Sequence, residues 1–337
     1  MPKKSHTPTL LTGLRPTGTL HIGNYFGSLK QVVDLEHTYK PFVMVADLHA
    51  LTTTDENASL AERTISTAAM YVAFGLNPKH STLFVQSHIQ EHAEVSTMLS
   101  MITPLSLVEL NPVYKEMLSE HPNNRTLGLL TYPVLQAADI LLYQTDVVPV
   151  GKDQAPHIEF ARDITRRFNS RFNANLKEPK TLLSEGEKIF SLSDPTKKMS
   201  KSHGEKHYIG LLDSPEDIKK KVASAVTDSE ATIQFSPDTR PGISNLIRIM
   251  QLMTGSDIAS IERRYNGKGY REFKEEFADT VIKFLTPGQK KYAELMKSKT
   301  VMRRILADGD KKARATASRT AAIMREHMGL LPSFTKR

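Results

Sequence analysis

Three short apolar runs in the first half of this 337-residue chain constrain its fold more than any other feature, because none of them alternates with polar residues. Phe42 to Ala46, Leu83 to Val85 and Val147 to Val150 are apolar along their length, and helical spacing follows each one, over Leu60 to Phe74, Val95 to Ile102 and Ile158 to Phe168. Strands that are apolar on both faces belong to a parallel sheet covered by helices on both sides. The pattern therefore predicts an α/β fold, a doubly wound parallel sheet of Rossmann-like type. Ligands of such sheets sit beyond the carboxyl ends of the strands. The polar residues there are Thr17 and His21, Asp47 and His49, Gln86 and Ser87, and Gly151 with Asp153 and Gln154. Pro112 and Pro122 interrupt the alternation, and the segment from about 104 to 127 reads as an insertion.

The chain opens with Leu10 and Leu11, then Gly13, then the turn Pro16-Thr17-Gly18. Ile22, Tyr25, Phe26, Leu29, Val32 and Val33 follow at helical spacing, so the order is strand, glycine loop, helix. Gly23 falls at the helix start, where bare N–H groups and the positive end of the helix dipole favour an anion. Neither the P-loop pattern nor the three spaced glycines of a dinucleotide fold is present. A phosphate ligand must bind here by some other route.

That route is suggested 180 or so residues downstream, where Lys198-Met199-Ser200-Lys201-Ser202 places two ammonium groups and two hydroxyls in one short loop. Such groups match the oxygens of a polyphosphate in charge and in hydrogen bonding. Taken with His21-Ile22-Gly23-Asn24, this loop resembles the two signatures of the class I aminoacyl-tRNA synthetases, with Asn24 in place of the usual final histidine. Within that class the chain is most similar to the bacterial tryptophanyl-tRNA synthetases. The resemblance runs from Leu11 to Leu330 and includes Gly128 to Pro149, Val150-Gly151-Lys152-Asp153-Gln154 with His157, Asp194-Pro195-Thr196-Lys197 and Ala225-Val226-Thr227-Asp228-Ser229.

The resemblance implies a two-step reaction, in which ATP activates L-tryptophan as its adenylate and the acyl group then passes to the 3′ end of tRNA(Trp). It assigns Lys198, Lys201, Thr17 and His21 to catalysis on the phosphates, with Mg²⁺ sharing their charge. It assigns Arg15, Pro16, Gly23, Asn24, Gly151, Lys152, Asp153, Gln154, Ile189, Met199, Ser200 and Ser202 to the rest of the ATP site, with Lys115 reaching in from the insertion. Lys152 stands where an acidic residue is common. The amino-acid pocket is expected around Tyr132, Gln136 and Asp139, which recur at i, i+4 and i+7 and so share one helix face, together with His49. A carboxylate on that otherwise apolar helix demands a partner, because a buried unpaired charge costs several kcal/mol. In the tryptophanyl enzymes the matching aspartate accepts the indole N–H. Gln136 replaces a common methionine, and tyrosyl enzymes use a Tyr, Gln and Asp constellation, so tyrosine–tRNA ligase is the alternative.

Beyond the lysine loop the pattern is helical, over Pro215 to Ala225, Ile243 to Met253, Tyr270 to Phe284, Pro287 to Met296 and Lys311 to Met328. The expected organisation is a catalytic domain over 1–190, the loop and a helical anticodon-binding domain over 191–298, and basic helices over 299–337 that return to the catalytic domain. Residues 290–337 hold 13 Lys and Arg against 4 Asp and Glu, so they carry +9 of the net +8 and the rest of the chain carries −1. A concentrated basic face suits a polyanion, which releases condensed counterions on binding. There is no cysteine, hence no disulfide or thiolate metal site. No apolar run is long enough for a signal peptide or a membrane span, so a cytoplasmic location is expected, and the resemblance implies a homodimer without membrane contact.

Two other classes compete. His88-Ile89-Gln90-Glu91-His92 matches an inverted zinc-protease pattern, which requires both histidines and a further ligand to converge. A non-catalytic RNA-binding protein would account for the basic tail but leave the phosphate-loop residues unexplained.

Overall fold

A computed structural model of the chain describes residues 7–52, 59–120, 125–151, 155–183 and 188–331. Thr9–Leu14 (β1), Lys40–Val45 (β2), Thr82–Val85 (β3), Val147–Val150 (β4) and Lys180–Leu183 (β5) form one fully parallel sheet in the order β3-β2-β1-β4-β5. The apolar runs behave as two-faced strands. Val43, Val45, Leu83 and Val85 point into one core with Phe26, Leu29 and the helix Leu60–Ala73. Phe42, Met44 and Phe84 point into the other, against the helices Glu91–Ser100, Leu127–Leu142 and Ala155–Phe172. Strand order reverses between β1 and β4, and there the carboxyl ends open the crevice in which such sheets bind ligands.

The first helical segment runs Ile22–Asn24, Tyr25–Leu29 and Lys30–Leu35, with a π-helical turn in the middle. The insertion supplies the short helices Leu105–Glu109 and Pro112–Glu120. Pro215–Ala223, Pro241–Thr254, Ile258–Arg264 and Tyr270–Lys297 make up the later helices. The last of these corrects the expected break at Pro287. The proline lies inside one continuous helix, because Val281, Leu285 and Gly288 are buried on either side of it and packing outweighs the roughly 3 kcal/mol a helix-interior proline costs. No helix among the described residues is long and apolar enough to cross a membrane.

The final helix, Lys299–His327, begins well before the expected Lys311. Its buried side chains explain the extension. Met302 and Leu306 join the first core, whereas Ala313, Ala317, Ala321 and Met324 join the second. The helix therefore crosses the free edge of the sheet from one face to the other. At the crossing Gly309 lies flush on β3, and Asp310 Oδ1 accepts the outward Val85 N–H at 3.1 Å. An edge strand is a template for unwanted pairing, and this contact covers it.

A Cβ on Gly309 would stand 1.7 Å from the Leu83 carbonyl oxygen, a backbone atom that cannot turn aside. Gly309→Ala should therefore destabilise the protein by about 2 kcal/mol or more in urea unfolding. Gly27→Ala, at a helical glycine with open space around it, is the control and should not destabilise. Equal midpoints for the two variants would show that the crossing helix is not held against β3.

Candidate active site

After β1 the chain turns through Arg15 to Gly18, where Gly18 takes a φ of +110° that few other residues adopt. His21 then caps the first helix. Its Nδ1 accepts the Asn24 N–H at 3.2 Å, and Asn24 Oδ1 accepts the His21 N–H at 3.1 Å, a reciprocal capping box. Asn24 thus has a structural use at the loop as well as any contact with a ligand. Gly23 is also explained locally: a Cβ there would meet the His21 ring at 2.9 Å and the Met199 Cβ at 3.4 Å. The loop needs glycine so that the imidazole and the lysine loop can close over it.

The Lys198 to Ser202 loop is tethered at its centre. Met199 is 2% exposed and donates its N–H to the Ile189 carbonyl at 2.9 Å, while Phe190 pairs across from Lys198. Phe190 in turn exchanges two 3.0 Å hydrogen bonds with the Asn245 side chain, which ties the loop to the helix Pro241–Thr254. With Met199 fixed, Lys198 projects into solvent and Lys201 turns the other way, where Nζ donates to the Thr17 carbonyl at 3.1 Å. Ser200 Oγ accepts the Ser202 N–H and bonds its hydroxyl. The chain then returns along the first helix, with Ile22 N–H on Ile209 O and Leu211 N–H on Leu20 O. Thr17, His21, Lys201 and Gly18 are therefore brought together, with Lys198 nearby.

Burial first, then the charges of Lys201 and Lys198, lower the His21 pKa from 6.5 to about 4. The ring is neutral at physiological pH, and because Nδ1 accepts from Asn24, the proton sits on Nε2. That nitrogen is a hydrogen-bond donor. Burial likewise draws Lys201 below the usual lysine range.

The second constellation surrounds Asp139, which is 1% exposed. Its Oδ2 receives His49 Nε2 at 2.8 Å, its Oδ1 receives His92 Nδ1 at 2.5 Å, and Gln86 Nε2 reaches both oxygens at 2.9 Å. His92 Nε2 meets the Tyr143 hydroxyl at 2.8 Å. Burial raises the Asp139 pKa, but the imidazoles overcome it and bring the carboxyl down to about 2. The partners that this carboxylate was expected to demand are present, and donors from the protein occupy both oxygens. An indole N–H would have to displace one of them. His49 and Tyr132, with ring centroids 4.4 Å apart, line a neighbouring cavity of about 240 Å³ with Thr52, Thr131 and Leu135. Gln136 Oε1 is bonded to His157 Nδ1 at 2.6 Å.

Arg15 lies close enough to Tyr132 to influence its ionisation, and so links the two constellations. Gly151 follows directly on β4 at the switch point. Lys115 is exposed on the insertion helix. Lys152, Asp153 and Gln154 lie outside the described residues. Gln86 stands just beyond β3, among the polar residues expected at the strand ends, whereas His92 and Tyr143 were not expected at this site, although the histidine pair of the zinc pattern was a signal that could have found the first of them. That pattern does not converge here. His88 bonds Asp310, Glu91 accepts from Ser318, and His92 bonds Asp139, in three different directions.

Folding strips a proton from His21, so from pH 6.5 down to about 4 the unfolded chain holds one proton more than the folded one. Stability should fall as the pH drops through that window, by about 1.4 kcal/mol per unit. His21→Asn retains a cap acceptor but not the titrating ring. Urea unfolding across the window should show the unmodified protein losing stability faster than the variant. Parallel slopes would mean that His21 titrates at its ordinary value.

The site can be compared with those of known proteins. The family model for tRNA synthetases class I (W and Y) matches residues 3–286. A tryptophan–tRNA ligase of Oceanobacillus iheyensis is 43% identical over 96% of this chain and 98% of its own length. One from Bacillus subtilis is 41% identical, with the same coverage. The tryptophanyl-tRNA synthetase of Campylobacter jejuni, solved with ADP and tryptophan, superimposes with a TM-score of 0.85 at 34% identity, covering 96% of this chain and all of that one. A tyrosyl-tRNA synthetase of Archaeoglobus fulgidus shares the fold at a TM-score of 0.65 and 18% identity. With its phosphate loop, lysine loop and near full-length relatives, the chain belongs to the class I aminoacyl-tRNA synthetases of the tryptophan and tyrosine family.

Proposed function

We propose that the protein is a tryptophan–tRNA ligase, which activates L-tryptophan with ATP and transfers it to tRNA(Trp). The observation that carries this reading is the placement of a buried aromatic pocket beside a loop where Thr17, His21 and Lys201 converge. Relatives at 40–44% identity over nearly the whole chain are tryptophan–tRNA ligases, which favours tryptophan over tyrosine.

The attacking group is the amino-acid carboxylate, already an anion, so the first step needs no general base. It attacks the α-phosphate, and pyrophosphate leaves. Catalysis is then positioning plus stabilisation of charge on the phosphates. His21, neutral with its proton on Nε2, donates to a phosphate oxygen. Lys201 exchanges the Thr17 carbonyl for the pyrophosphate, and Lys198 closes from the solvent side. Arg15, Pro16, Gly23, Asn24, Gly151, Ile189, Met199, Ser200 and Ser202 shape the nucleotide side, and Lys115 approaches from the insertion. Mg²⁺ would be held mainly by phosphate oxygens. No group of three carboxylate or imidazole ligands stands together among the described residues, and Mg²⁺ commonly uses one or two carboxylates with phosphates and waters.

In the pocket, the indole N–H takes a place on Asp139 by displacing Gln86, whose amide spans both oxygens, while His49, Tyr132 and Gln136 border the ring. Met101, Leu105, Leu110 and Leu127 are 57–73% exposed on and beside the insertion, and a homodimer would bury such a patch. The work of the enzyme is placed in the cytoplasm.

Exchange of ATP with pyrophosphate should depend on tryptophan and not on tyrosine. Lys198→Ala and Lys201→Ala should each slow it by roughly 10²-fold, about 2.7 kcal/mol of transition-state stabilisation, with little change in tryptophan affinity. Unchanged rates in both variants would end the clamp mechanism, and tyrosine-dependent exchange would reverse the substrate assignment. Asp139→Asn should weaken tryptophan by about 2 kcal/mol while ATP still binds. Equal tryptophan affinity in this variant would remove Asp139 from recognition.

A further inference from the structure

We propose that His92 and Tyr143 are positioning residues for amino-acid recognition: clasped together, they hold the Asp139 carboxylate in the orientation from which it accepts an indole N–H, and they leave Gln86 as the donor that gives way. This rests on the reading of the protein as a tryptophan–tRNA ligase whose Asp139 meets the indole.

Asp139 and Tyr143 stand four residues apart at the end of the helix Leu127–Leu142, so they share one of its faces. The His92 ring, on the neighbouring helix Glu91–Ser100, fits between them. Its Nδ1 meets Asp139 Oδ1 at 2.5 Å and its Nε2 meets the Tyr143 hydroxyl at 2.8 Å. His92 and Tyr143 are both buried, so neither can turn to water instead. Burial, then the charges of Asp139, Glu91 and Asp310, hold the Tyr143 phenol well above its usual range, and its oxygen keeps its hydrogen. That hydroxyl has no other hydrogen-bond partner among the described residues, so it donates to Nε2. A ring that accepts at Nε2 carries its proton on Nδ1, where it can only be given to the carboxylate.

The other donors on Asp139 are held less firmly. His49 is bonded at Nε2, but its buried Nδ1 has no partner among the described residues. Gln86 divides its amide between the two carboxylate oxygens, and its own Oε1 receives only the His49 N–H, at a long 3.4 Å. Tyr143 is anchored in the sheet, its ring centroid 4.6 Å from Phe42 on β2 and 5.2 Å from Phe84 on β3. Without the Tyr143 hydroxyl a buried Nε2 loses its donor, and the imidazole has no second contact to fix its plane. The carboxylate then turns, and a hydrogen bond from the ligand weakens steeply with angle.

The test is Tyr143→Phe, which removes one oxygen and keeps the ring against Phe42 and Phe84. Exchange of ATP with pyrophosphate is measured with tryptophan and with its benzothiophene analogue, in which sulfur replaces the indole N–H. The unmodified protein should prefer tryptophan in kcat/KM by roughly 10²-fold or more, because a site built to pair an N–H rejects a ligand without one. In Tyr143→Phe that preference should shrink about tenfold, through a raised KM for tryptophan with kcat and the analogue's kinetics little changed. An unchanged preference, or equal losses for both substrates as a packing defect would give, would overturn the clasp. The ring ¹⁵N shifts of His92 in the unmodified protein, assigned by their disappearance in His92→Asn, give a second measurement that needs no active variant. They should show a protonated Nδ1 and a bare Nε2, and a protonated Nε2 would also overturn the clasp. An unmodified protein that uses both substrates equally fails the reading of Asp139 instead, and the ring shifts still decide the clasp.

Discussion

Much of this structure is organised by one carboxylate buried away from the surface. Asp139 is buried among apolar neighbours, and an ion there persists only if donors from the protein replace its hydration. Those donors come from three separate places: His49 beyond β2, Gln86 just beyond β3, and His92 on the following helix. Asp139 itself lies on the helix that leads to β4. Each donor must be at hydrogen-bond distance, so satisfying the charge fixes how the carboxyl ends of the strands sit relative to one another. Breaking such a set by removing one member typically costs about 3–5 kcal/mol. His49, one of these donors, also lines the neighbouring cavity with Tyr132.

The phosphate side follows the opposite logic. There the charges are cationic and spread over a loop, with Lys198 exposed and Lys201 on the Thr17 carbonyl. Met199 is the exception, an apolar anchor between two lysines. It fixes the middle of the loop so that Lys201 meets the Thr17 carbonyl. Keeping His21 neutral among these lysines avoids a third positive charge beside them and leaves Nε2 as a hydrogen-bond donor.

What could be read beforehand was local. Apolar runs without alternation gave away the parallel strands, and the spacing of Tyr132, Gln136 and Asp139 marked a helix face. The fifth strand, Lys180–Leu183, escaped because it is short and half exposed, with a charged first residue. At Pro287 local propensity argues for a break, whereas packing decides for one continuous helix. His92 is not signalled because nothing in its spacing points to Asp139, 47 positions away, or to the Tyr143 hydroxyl that it also bonds, 51 positions away. The capping role of Asn24 was legible in principle, since it stands three residues after His21.

The crossing of the terminal helix over β3 has a consequence for how the chain is made. Val85 emerges from the ribosome 225 residues before Asp310, which will accept its N–H. At about 5–20 residues per second, the outer strand stays uncovered for roughly 10–45 s of synthesis. During that interval a nascent chain offers an open pairing edge to its neighbours on the same message, and a product truncated ahead of Gly309 offers it permanently. Release of the full-length chain is thus the event that makes the sheet safe. The distance along the chain between a strand and the helix that closes it sets how long that edge stays open.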